Sequence, residues 1–296
     1  MSGARSGAGV RYALAAVTLF ALQDGISTHL ANTYPVPFFV MIRYWFFALF
    51  VLAVASRMPG GVSGAARTKR PVLQAFRGVL LVLQILAIVS SMGLIGLAAT
   101  QSIFALHPLI VTLLAIPILG ERVGWRRLAA VGVGFAGVLV IVRPGGAVFQ
   151  LEAAVAVLGA VMFSVYGVLT RLANREDGHS RASFFYTGIA GAAAITLIGP
   201  FFWTSMAWAD WGWLLVLSIT AMTGHYFLIR ALDATEAYRI QPLVYLQMVF
   251  GIGVGFVVFD EPVDTAALLG VLMIIAAGLY VIWREYRLMR ASEPEG

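Results

Sequence analysis

Two ionisable side chains, Asp24 and Arg43, stand inside long apolar runs of this 296-residue chain. A charge at the centre of a bilayer costs at least ~2.5–3.5 kcal/mol on insertion scales, so one retained there is a functional candidate. Asp24 lies about eight residues from the end of its run, ~12 Å deep at 1.5 Å per helical residue, and Arg43 about six residues into the next, ~9 Å deep. The proline-punctuated turn "TYPVP" (33–37) joins the two runs, so the two charges can pair. Flanking a cavity, they would bind a zwitterionic or charged molecule, or carry a proton. Paired with each other, they would only hold two helices together.

His107 precedes Pro108 in the middle of a later run. Proline removes a backbone hydrogen bond and frees a carbonyl, which is tolerated in a membrane only against protein or a wet cavity. A histidine there can bind a substrate, titrate near neutral pH, or bond to a neighbouring helix. Gln84, Gln101, Tyr166, His225 and Tyr245 are further polar groups at useful depth. Each alone reads as an interhelical hydrogen bond worth ~0.6 kcal/mol, yet some must line the path of any polar molecule that crosses.

Other chemistries have no residues to carry them. There is no cysteine, which excludes disulfides, thiolate metal sites and a catalytic thiol. The four histidines lack metal-ligand spacing such as HExxH, and no metal or cofactor is expected. No GxSxG motif or carboxylate cluster appears, so no enzyme activity is expected. A phosphate loop of the GxxxxGK[ST] kind is also missing, and "GVGFAG" (132–137) lies within an apolar run, not after a strand.

The elements that must position these side chains follow from composition. The chain is 60% hydrophobic and 11% charged, with a mean hydropathy of +0.90. A soluble domain is nearer half apolar and a quarter charged, so an all-α integral membrane protein is expected. Runs long enough to span lie near 12–31, 37–56, 73–92, 97–118, 126–142, 152–171, 182–202, 212–230, 239–259 and 265–283. The first, although preceded by Arg5 and Arg11, reads as a transmembrane helix and not as a cleaved signal.

The net charge of +6 is a topology signal rather than a nucleic-acid one. Ten crossings place 18 of the 20 basic residues on one side, with only Arg143 on the other and Arg43 within a span. That side is cytoplasmic by the positive-inside rule, as are both termini, and a plasma (inner) membrane location is expected. Trp203, Trp208, Trp211 and Trp213 read as an outer aromatic belt.

The chain also repeats. Laid glutamate on glutamate, "GERVGWRRLAAVGVGFAGVLVIVR" (120–143) matches "DEPVDTAALLGVLMIIAAGLYVIWR" (260–284) with one inserted residue. "LAN" recurs at 30–32 and 172–174, and "RGVLLVL" (77–83) echoes "WGWLLVL" (211–217). Two five-helix halves, 1–145 and 146–296, follow. An odd number of helices per half inverts the second half, which places a site near the midplane between them. The counterpart of His107 is Gln241 by local similarity ("HPLIV" with "QPLVY") or Gln247 by the glutamate register. Glu121 and Glu261 read as surface markers of a helix end in each half. Gly132, Gly134 and Gly137, and the Gly251–Gly255 pair, read as close helix packing; the pair is less readily a dimerisation motif, and a monomer is expected.

"HPLIVTLLAIPILGERVGWRRLAAVGVGFAGVLVIVRPG" (107–145) resembles the end of an EamA-type repeat of the drug/metabolite transporter superfamily. "ALQDGISTHLANTYPVPFFVMIRYWFFAL" (21–49) resembles the start of that repeat, and "RGVLLVLQ" (77–84) its third helix. Met248 stands where the register would place a second Pro108, so that helix is expected to be straighter. The resemblance implies a ten-helix secondary carrier for a small organic molecule, such as an amino acid or a cofactor-like metabolite of the riboflavin or S-adenosylmethionine kind. Protons are candidate co-substrates through Asp24 or His107. A membrane enzyme without transport activity and a channel are the competing readings.

Overall fold

The computed structural model describes residues 2–120, 124–142, 151–178, 180–234, 237–261 and 265–292. Twelve α-helices occur among them: α1 Ser2–Ala31, α2 Val36–Ser56, α3 Gly61–Ala65, α4 Pro71–Ile95, α5 Leu97–Phe104, α6 His107–Leu119, α7 Trp125–Val142, α8 Leu151–Asp177, α9 Arg181–Thr196, α10 Trp208–Ala234, α11 Ala237–Phe259 and α12 Thr265–Ser292. A short 3-10 turn, Gly199–Phe202, follows α9, and the described residues include no strand. A helix satisfies its backbone polar groups internally, the requirement for any open segment that meets lipid.

Four segments are long and apolar enough to cross a membrane by length and composition alone: Val36–Ser56, Pro71–Ile95, Leu97–Leu119 and Glu152–Asp177. Leu128–Gly137, Gln247–Phe259 and Leu268–Tyr280 are shorter apolar stretches. Large apolar side chains also face outward, among them Leu49, Phe201, Val257 and Leu272. An apolar exterior of this extent fits a lipid solvent and not water.

The boundaries have local causes. Proline occupies the first turn of α2, α4 and α6, where its missing N–H costs nothing. Gly96 (φ 86°) ends α4 and begins α5, and Gly120 (φ 70°) ends α6, both in a backbone region that favours glycine. The fourth apolar run is therefore two helices, broken at Ala105–Leu106 ahead of Pro108. By contrast α11, with Met248 in the matching position, is continuous. The seventh run is helical only to Thr196 before the 3-10 turn.

α1 packs along α10, α4 along α8 and α9, α7 along α12, α2 along α9, and α5 along α11. α1 also touches α11, and α8 touches both α5 and α6. The main core joins α2, α4 and α9 through Phe38, Phe39, Met41, Leu81 and Ile195. Gly137 lets α7 approach α12, since a Cβ there would lie 2.7 Å from the Gly270 carbonyl oxygen. Gly134 packs on Leu109, but Gly132 faces open space, so it does not serve the packing expected of it. Trp208 and Trp203 are exposed as a belt requires. Trp211 departs from that reading, because its ring packs edge-on against buried Phe38.

Candidate functional site

Asp24 projects from α1 into a chamber of about 190 Å³ between the helices. The α1 residues lining it (Ala13, Ala16, Val17, Phe20, Gln23, Asp24 and Ser27) form one helical stripe at three- and four-residue spacing. Arg43 from α2, Gln84 from α4, Gln101 from α5, His107 from α6, Tyr166 from α8, His225 from α10 and Gln247 from α11 complete its polar surface. Eight of the residues singled out from sequence thus meet in one chamber. The side chains of the other two, Gln241 and Tyr245, fall outside the described set.

Two carboxamides hold the carboxylate. Gln101 Nε2 donates to Asp24 Oδ2 at 2.6 Å, and Gln247 Nε2 donates to the same oxygen at 2.9 Å. The three residues come from α1, α5 and α11, elements far apart in the chain. Arg43 is not the ion-pair partner that sequence allowed, because no salt bridge joins it to Asp24. Its Nη2 instead donates to Gln23 Oε1 at 3.2 Å. A guanidinium has five donors, and Arg43, 5% exposed, lines the chamber with that one hydrogen bond among the described residues. Ser27 Oγ, one turn beyond Asp24, is buried with no hydrogen-bond partner among the described residues. The chamber therefore offers an anionic group, an under-partnered cation and spare donors.

His107 has a structural duty. Pro108 cannot donate to the carbonyl of Phe104, and His107 Nδ1 does so instead at 3.1 Å, which fixes the proton on Nδ1. Ser164 Oγ in turn donates to the His107 carbonyl at 3.1 Å. The imidazole packs between Phe104 (4.8 Å between centroids) and Phe163 (5.1 Å). Tyr166 continues this wall 6.0 Å from Phe163. His225 is held across the chamber between Phe20 (5.2 Å) and Phe47 (6.2 Å).

Arg77 is the residue sequence reasoning placed wrongly. Counted among the surface charges that set topology, it is fully buried. Its guanidinium donates to Gln74 Oε1 (3.1 and 2.9 Å), to Thr170 Oγ1 (3.0 Å) and to the Ser183 carbonyl, and lies 5.0 Å over the Tyr166 ring. It braces the chamber wall from behind, since Tyr166 and Thr170 both line the cavity. Gln74, Arg77 and Gln84 share one face of α4 at spacings of three and seven, a signal that was readable in sequence.

The two ends of the bundle are tied differently. At the α1–α2 end, His29 Nε2 meets Asp210 Oδ1 at 2.9 Å and Tyr34 Oη donates to Asp210 Oδ2 at 2.7 Å. Hydrogen bonds from His29 and then Tyr34 hold the Asp210 carboxyl below its usual range, so it is ionised at neutral pH. At the basic end, Arg70 pairs with Glu176 at 2.8 Å, and Thr68 and the Lys69 backbone donate to Asp177. Among the described residues no cluster of three or more His, Asp or Glu could hold a metal ion.

The EamA-like transporter family matches this sequence twice, over residues 7–143 and again over 150–284. The chain belongs to that family. It is a small-molecule transporter built of apolar membrane helices. The S-adenosylmethionine uptake transporter of Rickettsia prowazekii (strain Madrid E) is 23% identical over 287 residues, 96% of this transporter and 95% of the relative. The pseudopaline exporter CntI of Pseudomonas aeruginosa (strain UCBPP-PA14) is 26% identical over 274 residues, 91% and 94% of the two chains. A solved crystal structure shares the fold, with a TM-score of 0.67 at 21% identity over 96% of this transporter and 99% of its own chain. Relatives at this distance are named for uptake of one solute and export of another.

Proposed function

We propose that this transporter is a ten-helix secondary carrier of the inner membrane that binds a zwitterionic organic metabolite between two inverted halves and releases it by alternating access. The helix pairing supports the inversion. If each helix of the first half corresponds to the one five crossings later, α1–α10 becomes α8–α4, and α1–α11 becomes α8–α5/α6. The pairs α2–α9, α5–α11 and α7–α12 map onto themselves. These principal pairs follow that exchange, and the twofold match of the family points the same way. In such carriers the site lies at the interface of the repeats, which one half rocks past.

The observation that carries the substrate class is the pairing of Asp24, gripped by Gln101 and Gln247, with the under-partnered Arg43 in one chamber. A solute with an ammonium and a carboxylate satisfies both, and leaving either charge buried without a partner would be costly. Phe104, Phe163 and Tyr166 offer ring faces for an attached cation or planar group. An α-amino acid linked to a planar heterocycle, as in S-adenosylmethionine, has this distribution. The chamber polarity also speaks against a channel, because the described residues form no charged ring along an open path.

A thermal-shift screen of the detergent-solubilised protein against a metabolite panel tests the reading. A ligand at ~100 times its dissociation constant stabilises the fold by ~2.7 kcal/mol. Zwitterions are expected to raise Tm where their decarboxylated or N-acylated analogues do not. Uniform silence across charged metabolites, or stabilisation by uncharged ones only, would overturn it.

A further inference from the structure

Glu261, at the corner between α11 and α12, is only partly exposed and points back into the bundle. Its Oε1 accepts from the Leu97 backbone N–H at 2.6 Å and its Oε2 from Ala98 at 2.7 Å. These are two of the donors that a helix N-terminus leaves unsatisfied, and the carboxylate meets them at the positive end of α5. Leu97 belongs to the first half of the chain and Glu261 to the second. Resting on the carrier reading above, we propose that Glu261 is the latch that closes the chamber at the α1–α2 end. By the same contact it positions Gln101 and Gln247 on Asp24.

The surroundings are shaped for this contact. A Cβ on Gly96 would lie 2.9 Å from the Glu261 carboxyl carbon, and one on Gly255 would lie 2.7 Å from Oε2 and 3.1 Å from the Ala98 nitrogen. A Cβ on Gly251, one turn along, would meet Gln101 Cγ at 2.8 Å. The Gly251–Gly255 pair is thus the groove in which α5 lies against α11. Asp260 turns the chain with φ 52°, and the Glu261 N–H donates to the Gly255 carbonyl at 3.1 Å, directing the side chain back over that groove. Farther inside than the latch, the same two helices present Gln101 and Gln247 to Asp24.

Two other inter-half ties sit at opposite ends and balance one another. The His29–Tyr34–Asp210 knot joins α1 and the turn after it to α10, and the Arg70–Glu176 and Thr68–Asp177 ties join the segment entering α4 to α8. These helix pairs exchange under the inverted relation, and both are tied at once, so neither opens to release one end. Glu261 bonds only peptide N–H groups and no cation among the described residues. Carboxylate and amides alike can be rehydrated when α5 and the α11–α12 corner part, which suits a contact that must break in every cycle. Meanwhile the chamber lining runs toward the basic end through Ala13, Arg171 and Leu228.

The chain has no cysteine, so a single reporter is unambiguous. Ser27→Cys, on the chamber wall between Asp24 and the latch, is reacted with a membrane-impermeant maleimide in right-side-out and inside-out vesicles. With Glu261 intact, labelling from the α1–α2 end is expected to be slow. In Glu261→Ala it is expected to accelerate at least about tenfold, with Glu261→Gln intermediate, because each lost charge-assisted contact shifts the closed–open equilibrium. Gly255→Ala, which crowds Oε2, is expected to act in the same direction. Unchanged labelling in folded Glu261→Ala overturns the latch. If that variant does not fold, Glu261→Gln decides by the same criterion. Labelling that shifts without any measurable transport would retain the latch and remove the carrier reading, whereas transport with unshifted labelling would do the reverse.

Discussion

At the scale of single residues, Asp24 and Arg43 differ in how far the protein already satisfies them. Two carboxamides converge on one oxygen of Asp24. Asparagine presents a carbonyl oxygen in the same place, so Asp24→Asn can keep both amides while losing the charge. The expected outcome is a melting temperature within a few degrees of the parent and transport of a zwitterion reduced at least about tenfold, as a charge-assisted hydrogen bond worth ~1.5–3 kcal/mol implies. Arg43→Gln is expected to weaken binding of the same solute toward the level of its decarboxylated analogue. Parallel loss of folded protein and transport in both variants, seen by fluorescence size-exclusion beside vesicle uptake, would instead make the charges structural. His107 illustrates why such roles were only half legible in the sequence. Its neighbour Pro108 announced a freed carbonyl, but only the fold shows that the imidazole itself satisfies that carbonyl. Arg77 was misread for the opposite reason. A basic residue near the end of an apolar run normally faces water, and although Gln74 and Gln84 share its helix face, they do not name Thr170 and Ser183 as the groups that enclose it.

At the scale of helices, the apolar runs were easy to read because lipid demands continuous hydrophobicity. The break at Ala105–Leu106 lies just ahead of Pro108, whereas α11, with Met248 at the matching register position, runs unbroken even through Pro242. What sequence could not give was the partner of each glycine, since packing pairs are set in three dimensions. Gly132 and Gly137 lie in the same motif of α7, yet one meets nothing within 4 Å and the other meets the backbone of α12. Alanine should separate them. At Gly137 the new Cβ would lie 2.7 Å from Gly270 O and 3.0 Å from both Ile274 and Met273. Backbone atoms cannot rotate aside, so a loss of ~1–3 kcal/mol is expected, the range for overpacking. At Gly132 the same substitution adds no clash and removes a flexible residue from a helix interior, an effect of up to ~1 kcal/mol in the other direction. Detergent melting curves should therefore move apart for the two variants. Equal shifts would mean that α7 and α12 do not meet as described.

At the scale of the whole molecule, the distribution of charge and the direction of each helix must agree. The described ties divide into two sets, with His29, Tyr34, Asp210 and Glu261 near one end and Thr68, Arg70, Glu176 and Asp177 near the other. The second set lies among the basic loops, which the positive-inside rule assigns to the cytoplasm. Exposed Arg67 and Trp208, 91% exposed, stand at these two ends. In a chain without native thiols, Arg67→Cys is expected to react with an impermeant maleimide only in inside-out vesicles, and Trp208→Cys only in right-side-out ones. Reaction of both from one face would require an odd number of errors among the crossings between them and would remove the inversion, since two halves of even helix number would enter the membrane alike. Opposite faces in the reversed sense would keep the inverted halves and the chamber, but would turn the Glu261 latch into an inner gate and reverse the direction in which the observed chamber opens.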